Sequence, residues 1–137
     1  MSTLSLPTAG ALIIKDRKLL MTFSRNKECY YLPGGKLDAV ENSVAALLRE
    51  LQEELDITLS ESEIQFETHI SAPAYGEPSG TMMEQDCFMI LCAVDPRPTA
   101  EIGGFKYFRL MDYLLEEQQA IGAVMILNYL KQKGIID

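Results

Sequence analysis

Between residues 33 and 55 the chain changes its apolar period, and that change restricts the fold more than any other feature. Up to Pro33-Gly34-Gly35 it reads as strands. Thr8 to Ile14 and Lys18 to Phe23 flank a turn at Asp16-Arg17, which predicts a hairpin, and Cys29 to Leu32 is a third, short segment. The Pro-Gly-Gly triplet stops it. From Ser43 to Leu55 the pattern becomes helical: Val44, Leu47, Leu48, Leu51 and Leu55 fall within an arc of about 100° on a wheel. Such a stripe needs a core to cover it. Strand character returns in Ile64 to Ala74, in Met82 to Val94 and in Phe105 to Leu110, with a turn-rich loop at Tyr75 to Gly80. Met82 to Val94 becomes continuously apolar and so reads as central. Asp112 is placed to cap a C-terminal helical region, and Ala120 to Lys133 carries Ile121, Val124, Met125, Leu127 and Leu130 before Gly134. Strands with one helix in the middle and one at the end predict a single α/β domain over residues 1–137, its sheet sandwiched between helices.

Several classes of function are excluded at once. No apolar run approaches the roughly 18 residues of a membrane span, and Met1-Ser2-Thr3-Leu4 has no basic or long apolar leader. Cys29, Cys87 and Cys92 show no CxxC spacing and leave one unpaired, so reduced thiols and a cytoplasmic location are expected. His69 is the only histidine, which argues against a Cys/His zinc site; its strand-like setting reads as a packed or edge residue. The formal net charge of −8 repels polymeric DNA or RNA. A small phosphorylated ligand fits only where lysines, arginines or metal ions reverse the local field.

One segment offers that chemistry. Glu50, Glu53 and Glu54 stand at i, i+3 and i+4 of the central helix, clustered beside its apolar stripe. Like charges at that spacing repel, and a hard divalent cation reverses the penalty. A glutamate-rich helix is more often only a solvated face. Here, however, it follows a glycine turn at a fixed distance, with Glu41 and Arg49 between. Gly34-Gly35-Lys36 is not a phosphate-cradling P-loop, since Tyr30 and Leu37 occupy the positions where glycine and Ser or Thr are required.

Gly35, Glu41 and Arg49-Glu50-Leu51-Gln52-Glu53-Glu54, through to Ile57, resemble the Nudix box, G-x5-E-x7-R-E-U-x-E-E-x-G-U with U apolar. Every defined position matches except the last glycine, which is Asp56; aspartate is among the few residues that tolerate the φ > 0 such a helix exit requires. Val40, where many members have glycine, is a milder departure. The resemblance implies a Nudix-type α/β/α sandwich with a mixed β-sheet and a hydrolase similar to the small MutT-like members.

It implies roles as well. Glu50, Glu53 and Glu54 would bind Mg2+ or Mn2+, with a Gly34 carbonyl as a further ligand. These ions would bridge pyrophosphate oxygens and acidify a water. Glu53 is the first candidate for the general base and Glu101, in a late loop before an aromatic strand, the second. Arg49 would orient Glu53, Glu41 would support the metal site, Gly35 would let the backbone pass close, and Arg25 and Lys36 would meet substrate. Tyr31 and Tyr75 read as core or rim, and Met82, Met83 and Met89 as strand packing. The implied substrate is a small nucleotide: a nucleoside triphosphate first, with nucleotide sugars, ADP-ribose and dinucleoside polyphosphates behind it. The asparagine that reads guanine in MutT-like members has no clear counterpart, Asn128 lying too far along the last helix. From another class, a non-catalytic Nudix-fold binding module would be expected to have lost box glutamates, and all three are present. A homodimer would be unsurprising at this size.

Overall fold

The computed structural model describes residues 4–99 and 101–137; Met1 to Thr3, which bear on a leader, lie outside them. The elements are β1 (Leu4–Leu12), β2 (Ile14–Lys15), β3 (Lys18–Ser24), β4 (Cys29–Tyr31), β5 (Gly34–Lys36), α1 (Ser43–Leu55), β6 (Ile64–Pro73), β7 (Thr81–Ile90), β8 (Ile102–Phe108), α2 (Leu110–Tyr113) and α3 (Ile121–Gln132). One four-stranded sheet has the order β5-β1-β7-β6 and is mixed, with β1 parallel to β7 and the other pairs antiparallel. In a second, β2, β4 and β8 all pair with β3.

The expected hairpin is corrected in one respect. Only the two residues of β2 fold back on β3, around Asp16 and Arg17 at φ +52° and +61°. β1 instead joins the other sheet, paired on both edges. Its Ala9, Ala11 and Leu12 are wholly buried, which suits a central strand better than one arm of a hairpin. The Gly34–Lys36 turn is also a strand, held antiparallel to Thr8–Gly10 of β1. β7 ends at Ile90 rather than Val94 because the chain must release its ladder before Pro96 and Pro98. Asp112 is not the cap of the last helix: it sits inside α2, where its Oδ2 accepts the Arg109 N–H at 3.1 Å, and α3 starts separately after Ala120.

Apolar residues lie on both faces of the mixed sheet. Leu47, Leu51 and Leu55 of α1 pack with Ala9, Ala11, Leu20 and Phe88. Ile126, Leu127 and Leu130 of α3 pack with Leu12, Met21, Cys87 and Phe108. This is the predicted sandwich. Cys29 and Cys87 are buried, Cys92 only partly, and all three are free thiols. No helix among the described residues is long and apolar enough to cross a membrane.

His69 is half-exposed at the β6–β7 ladder, its Nδ1 2.8 Å from Asp86 Oδ1 and its Nε2 2.9 Å from Glu84 Oε1. Hydrogen bonds to Asp86 and then Glu84 favour the imidazolium and raise its pKa above the usual 6.5. Ser71 and then His69 hold Glu84 below the usual 4.5. The histidine's contribution to stability is full below pH 6.5 and fades as pH rises through its raised value. That of Glu84 is present above pH 4.5 and fades as pH falls through its lowered one. The melting-temperature advantage of wild type over His69→Gln is therefore expected to peak between these limits and shrink at alkaline pH. A difference independent of pH would contradict the pairing.

Candidate active site

The site is built where β5 passes the middle of α1. The helix begins under an Asn42 cap, whose Oδ1 accepts the Ala45 N–H at 2.8 Å, and it leaves through Asp56 in the left-handed conformation at φ +55°. The Asp56 N–H reaches back to the Gln52 and Leu51 carbonyls. Aspartate thus makes the exit that the missing box glycine would have made. Beyond it, Arg97 and Thr99 are tied to the end of α1: Arg97 N–H donates to Leu55 O at 2.8 Å and Thr99 N–H to Glu54 O at 3.0 Å. Those bonds bring Glu101 towards the glutamates of the helix.

Arg49 is the hub of the acidic cluster. Its guanidinium donates to both oxygens of Glu41 at 2.8 and 2.9 Å, to Glu50 Oε1 at 2.8 Å and to Glu53 Oε2 at 3.1 Å. A further bond to Lys36 O, 3.2 Å, ties the helix to β5. Glu41 also accepts the Asp38 N–H, and the paired guanidinium holds its carboxyl down to about 2. The sequence links Arg49 to Glu53 alone; the clamp on Glu41 and Glu50 is an addition of the fold, bringing residues eight positions apart together.

Glu54 points the other way, its Oε1 accepting the Gly34 N–H at 2.9 Å. Burial, against the effect of that hydrogen bond and with help from Glu50, Glu101 and Glu53, pushes its carboxyl up to about 8. Burial likewise raises Glu50. Gly35 leaves room for the latter: a Cβ there would lie 2.8 Å from the Glu50 carboxyl carbon. Among the described residues no three acidic, histidine or cysteine side chains already converge as a metal cage. Glu50 and Glu53 are turned to Arg49, and Glu54 to the Gly34 amide. The donor set nonetheless suits a hard divalent cation: all oxygen, mutually repelling and partly desolvated, so that added positive charge removes an existing penalty.

Two cavities meet at Glu54 and Tyr31, which line both. One, of about 330 Å3, runs from Gly34, Gly35, Glu50 and Glu54 over β1 and β7 to the start of α3. The other holds Arg25, Thr22 and Glu101. Lys36 lines the first cavity with its ammonium on Glu77 Oε1 at 2.8 Å.

A NUDIX-domain family model matches residues 4–129. The chain belongs to the Nudix family. Solved structures of similar fold include the MutT protein of Methanosarcina mazei Go1, with TM-score 0.74, 19% identity and 98% of each chain covered. The MutT Nudix hydrolase of Burkholderia pseudomallei has TM-score 0.71 and 22% identity, over 90% of this chain and 96% of that one. A bifunctional NMN adenylyltransferase/ADP-ribose pyrophosphatase of Francisella tularensis, complexed with AMP and a Mn ion, has TM-score 0.69 and 22% identity; 96% of this chain matches 42% of it. No curated protein sequence matches. The protein is thus a Nudix hydrolase with the mixed-sheet sandwich of the MutT structures.

Against that family background the fold places the residues named from sequence as follows. Gly34, Gly35, Glu41, Arg49, Glu50, Glu53 and Glu54 are brought into one cluster, and Arg25 and Glu101 into the cavity adjoining it. Asn128 is exposed on α3 and lines neither of these cavities. Tyr31 and Tyr75, set aside from sequence as rim or core, both line the first of these cavities, as do Thr8 and Gln85, which the sequence reading passed over. The one signal for Gln85 was a polar residue at an inward position of an apolar strand.

Proposed function

We propose that this Nudix hydrolase cleaves a pyrophosphate bond in a nucleoside diphosphate derivative, most simply a nucleoside or deoxynucleoside triphosphate, with Mg2+ or Mn2+. The observation that supports this most is Glu54: a largely buried carboxyl among other carboxylates, on a glycine amide, at the junction of two cavities. In this reading Glu50, Glu53, Glu54 and the Gly34 carbonyl hold the cation. Bound there, it would neutralise pyrophosphate charge and make a water acidic enough to be deprotonated near neutral pH. Glu53 takes the proton from the attacking water, with Glu101 the alternative. Arg49 orients Glu53 and Glu50, and Glu41 fixes Arg49. Lys36 and Arg25 meet the phosphates, Lys36 by exchanging Glu77 for substrate. The cavity, at the small end of the usual 300–1,000 Å3 range, favours one nucleoside over a dinucleotide. The retained glutamates argue against a module that only binds. A single domain in a reducing cytoplasm, free of membrane and polymeric nucleic acid, fits the free thiols and the charge of −8.

The test is a panel of nucleoside triphosphates, nucleotide sugars, ADP-ribose and dinucleoside polyphosphates, each incubated with Mg2+, with Mn2+ and with chelator. Metal-dependent release of a nucleoside monophosphate from triphosphates is the expected result. Cleavage of none of them, or cleavage undiminished by chelator, would refute the proposal.

A further inference from the structure

The floor of the cavity that runs from Gly34 and Glu54 to the start of α3 carries two polar side chains that the hydrolytic chemistry does not use. Thr8 of β1 lies beside Gln85 of β7 in the parallel register, and beside Lys36 of β5 on its other edge. Lys36, Thr8 and Gln85 thus form a row across three strands, on one face of the sheet. Lys36 stands at the glycine and glutamate end. Gln85 is two strand spacings away, about 10 Å.

Both floor residues are more than nine-tenths buried, with 7% and 8% of their surfaces exposed. The Thr8 hydroxyl nevertheless has no hydrogen-bond partner among the described residues. The Gln85 carboxamide has only a weak approach to its Oε1 from Cys87 Sγ, at 3.8 Å. A buried hydroxyl without a partner, as at Thr8, is rare and asks for an explanation. Gln85 cannot withdraw towards β1, because its amide already lies against Gly10: a Cβ there would be 3.0 Å from both Cδ and Nε2. The wall formed by α3 offers no side chain to bond. The start of α3 contributes Ala120, Gly122 and Ala123, and Met83 packs so close that a Cβ on Gly122 would meet its Cε at 2.8 Å.

We propose that Thr8 and Gln85 read the nucleobase of the substrate, the floor of the sheet doing what the apolar start of α3 cannot. The inference rests on the nucleotide reading above. A carboxamide offers a donor and an acceptor side by side, which complements the adjacent donor and acceptor on a base edge, and the hydroxyl adds a third point. Tyr31 and Tyr75 supply flat apolar surface beside that floor.

The decisive measurement is calorimetric binding of AMP, GMP, CMP, UMP and the base-free ribose 5-phosphate to wild type, Gln85→Met and Thr8→Val, with melting curves to confirm folding. Gln85→Met is expected to weaken the best-bound monophosphate roughly 10- to 100-fold and to compress the spread among bases, leaving ribose 5-phosphate unchanged. Thr8→Val should move the same way by less. An unchanged ranking and affinity in folded Gln85→Met overturns the assignment, as does an equal loss for ribose 5-phosphate. If wild type binds and cleaves no nucleotide, the proposed function itself fails and takes this inference with it, an outcome seen without any variant.

Discussion

Glu53→Gln is expected to lower kcat by roughly 100-fold or more while leaving the melting temperature within about 2 °C of wild type. The two effects separate because of where Glu53 sits. Its side chain is 54% exposed, so little packing depends on it. Its partner Arg49 keeps Glu41 and Glu50 when the charge is removed, so no buried cation is stranded. Glutamine preserves the length and loses only the ability to take a proton or hold a cation. Steady-state kinetics on the best substrate, with a thermal melt of the same preparation, check both halves. If turnover stays within a few-fold while Glu101→Gln abolishes it, the base is Glu101 and Glu53 is left with at most a ligand role.

Gly34→Ala is expected to have the largest effect on stability. Gly34 has φ +133°, and a Cβ there would lie 2.0 Å from the Ala9 carbonyl oxygen, on a central strand paired along both edges. Neither backbone can give way without breaking the β1–β5 register. A loss of about 3 kcal/mol or more follows, a fall on the order of 10 °C, with poor soluble yield as the extreme. Gly35→Ala provides the contrast. Its Cβ would meet the carboxyl end of Glu50, which can swing aside, so this variant should fold and show its defect in metal uptake. Equal melting temperatures for Gly34→Ala and wild type would show that β5 does not approach β1 this closely.

The helix and its acids were legible because they are local. A stripe of leucines at helical spacing and three glutamates at i, i+3 and i+4 depend only on residues a turn apart. What joins distant segments was not. Nothing in Thr8 to Leu12 announces that its partner is Thr81 to Met89 rather than Lys18 to Phe23, since a β pattern specifies a face and not a neighbour. For the same reason the floor pair Thr8 and Gln85 and the hold of Arg97 and Thr99 on α1 lay beyond reach. The box itself was read through its spacing. The bidentate grip of Arg49 on Glu41 has no sequence signal, because it needs the loop after β5 to return to the helix.

The pairing of β1 with β7 also governs the order in which this molecule can assemble. Leu4 must wait for Thr81, and Leu12 for Met89, so the central ladder closes a loop holding more than half the chain. Helix α1 can form and fray on its own within microseconds, whereas that closure bears a large entropic cost before any contact offsets it. A nascent chain emerging from the ribosome would therefore display its acidic helix well before it possessed a cleft to put it in.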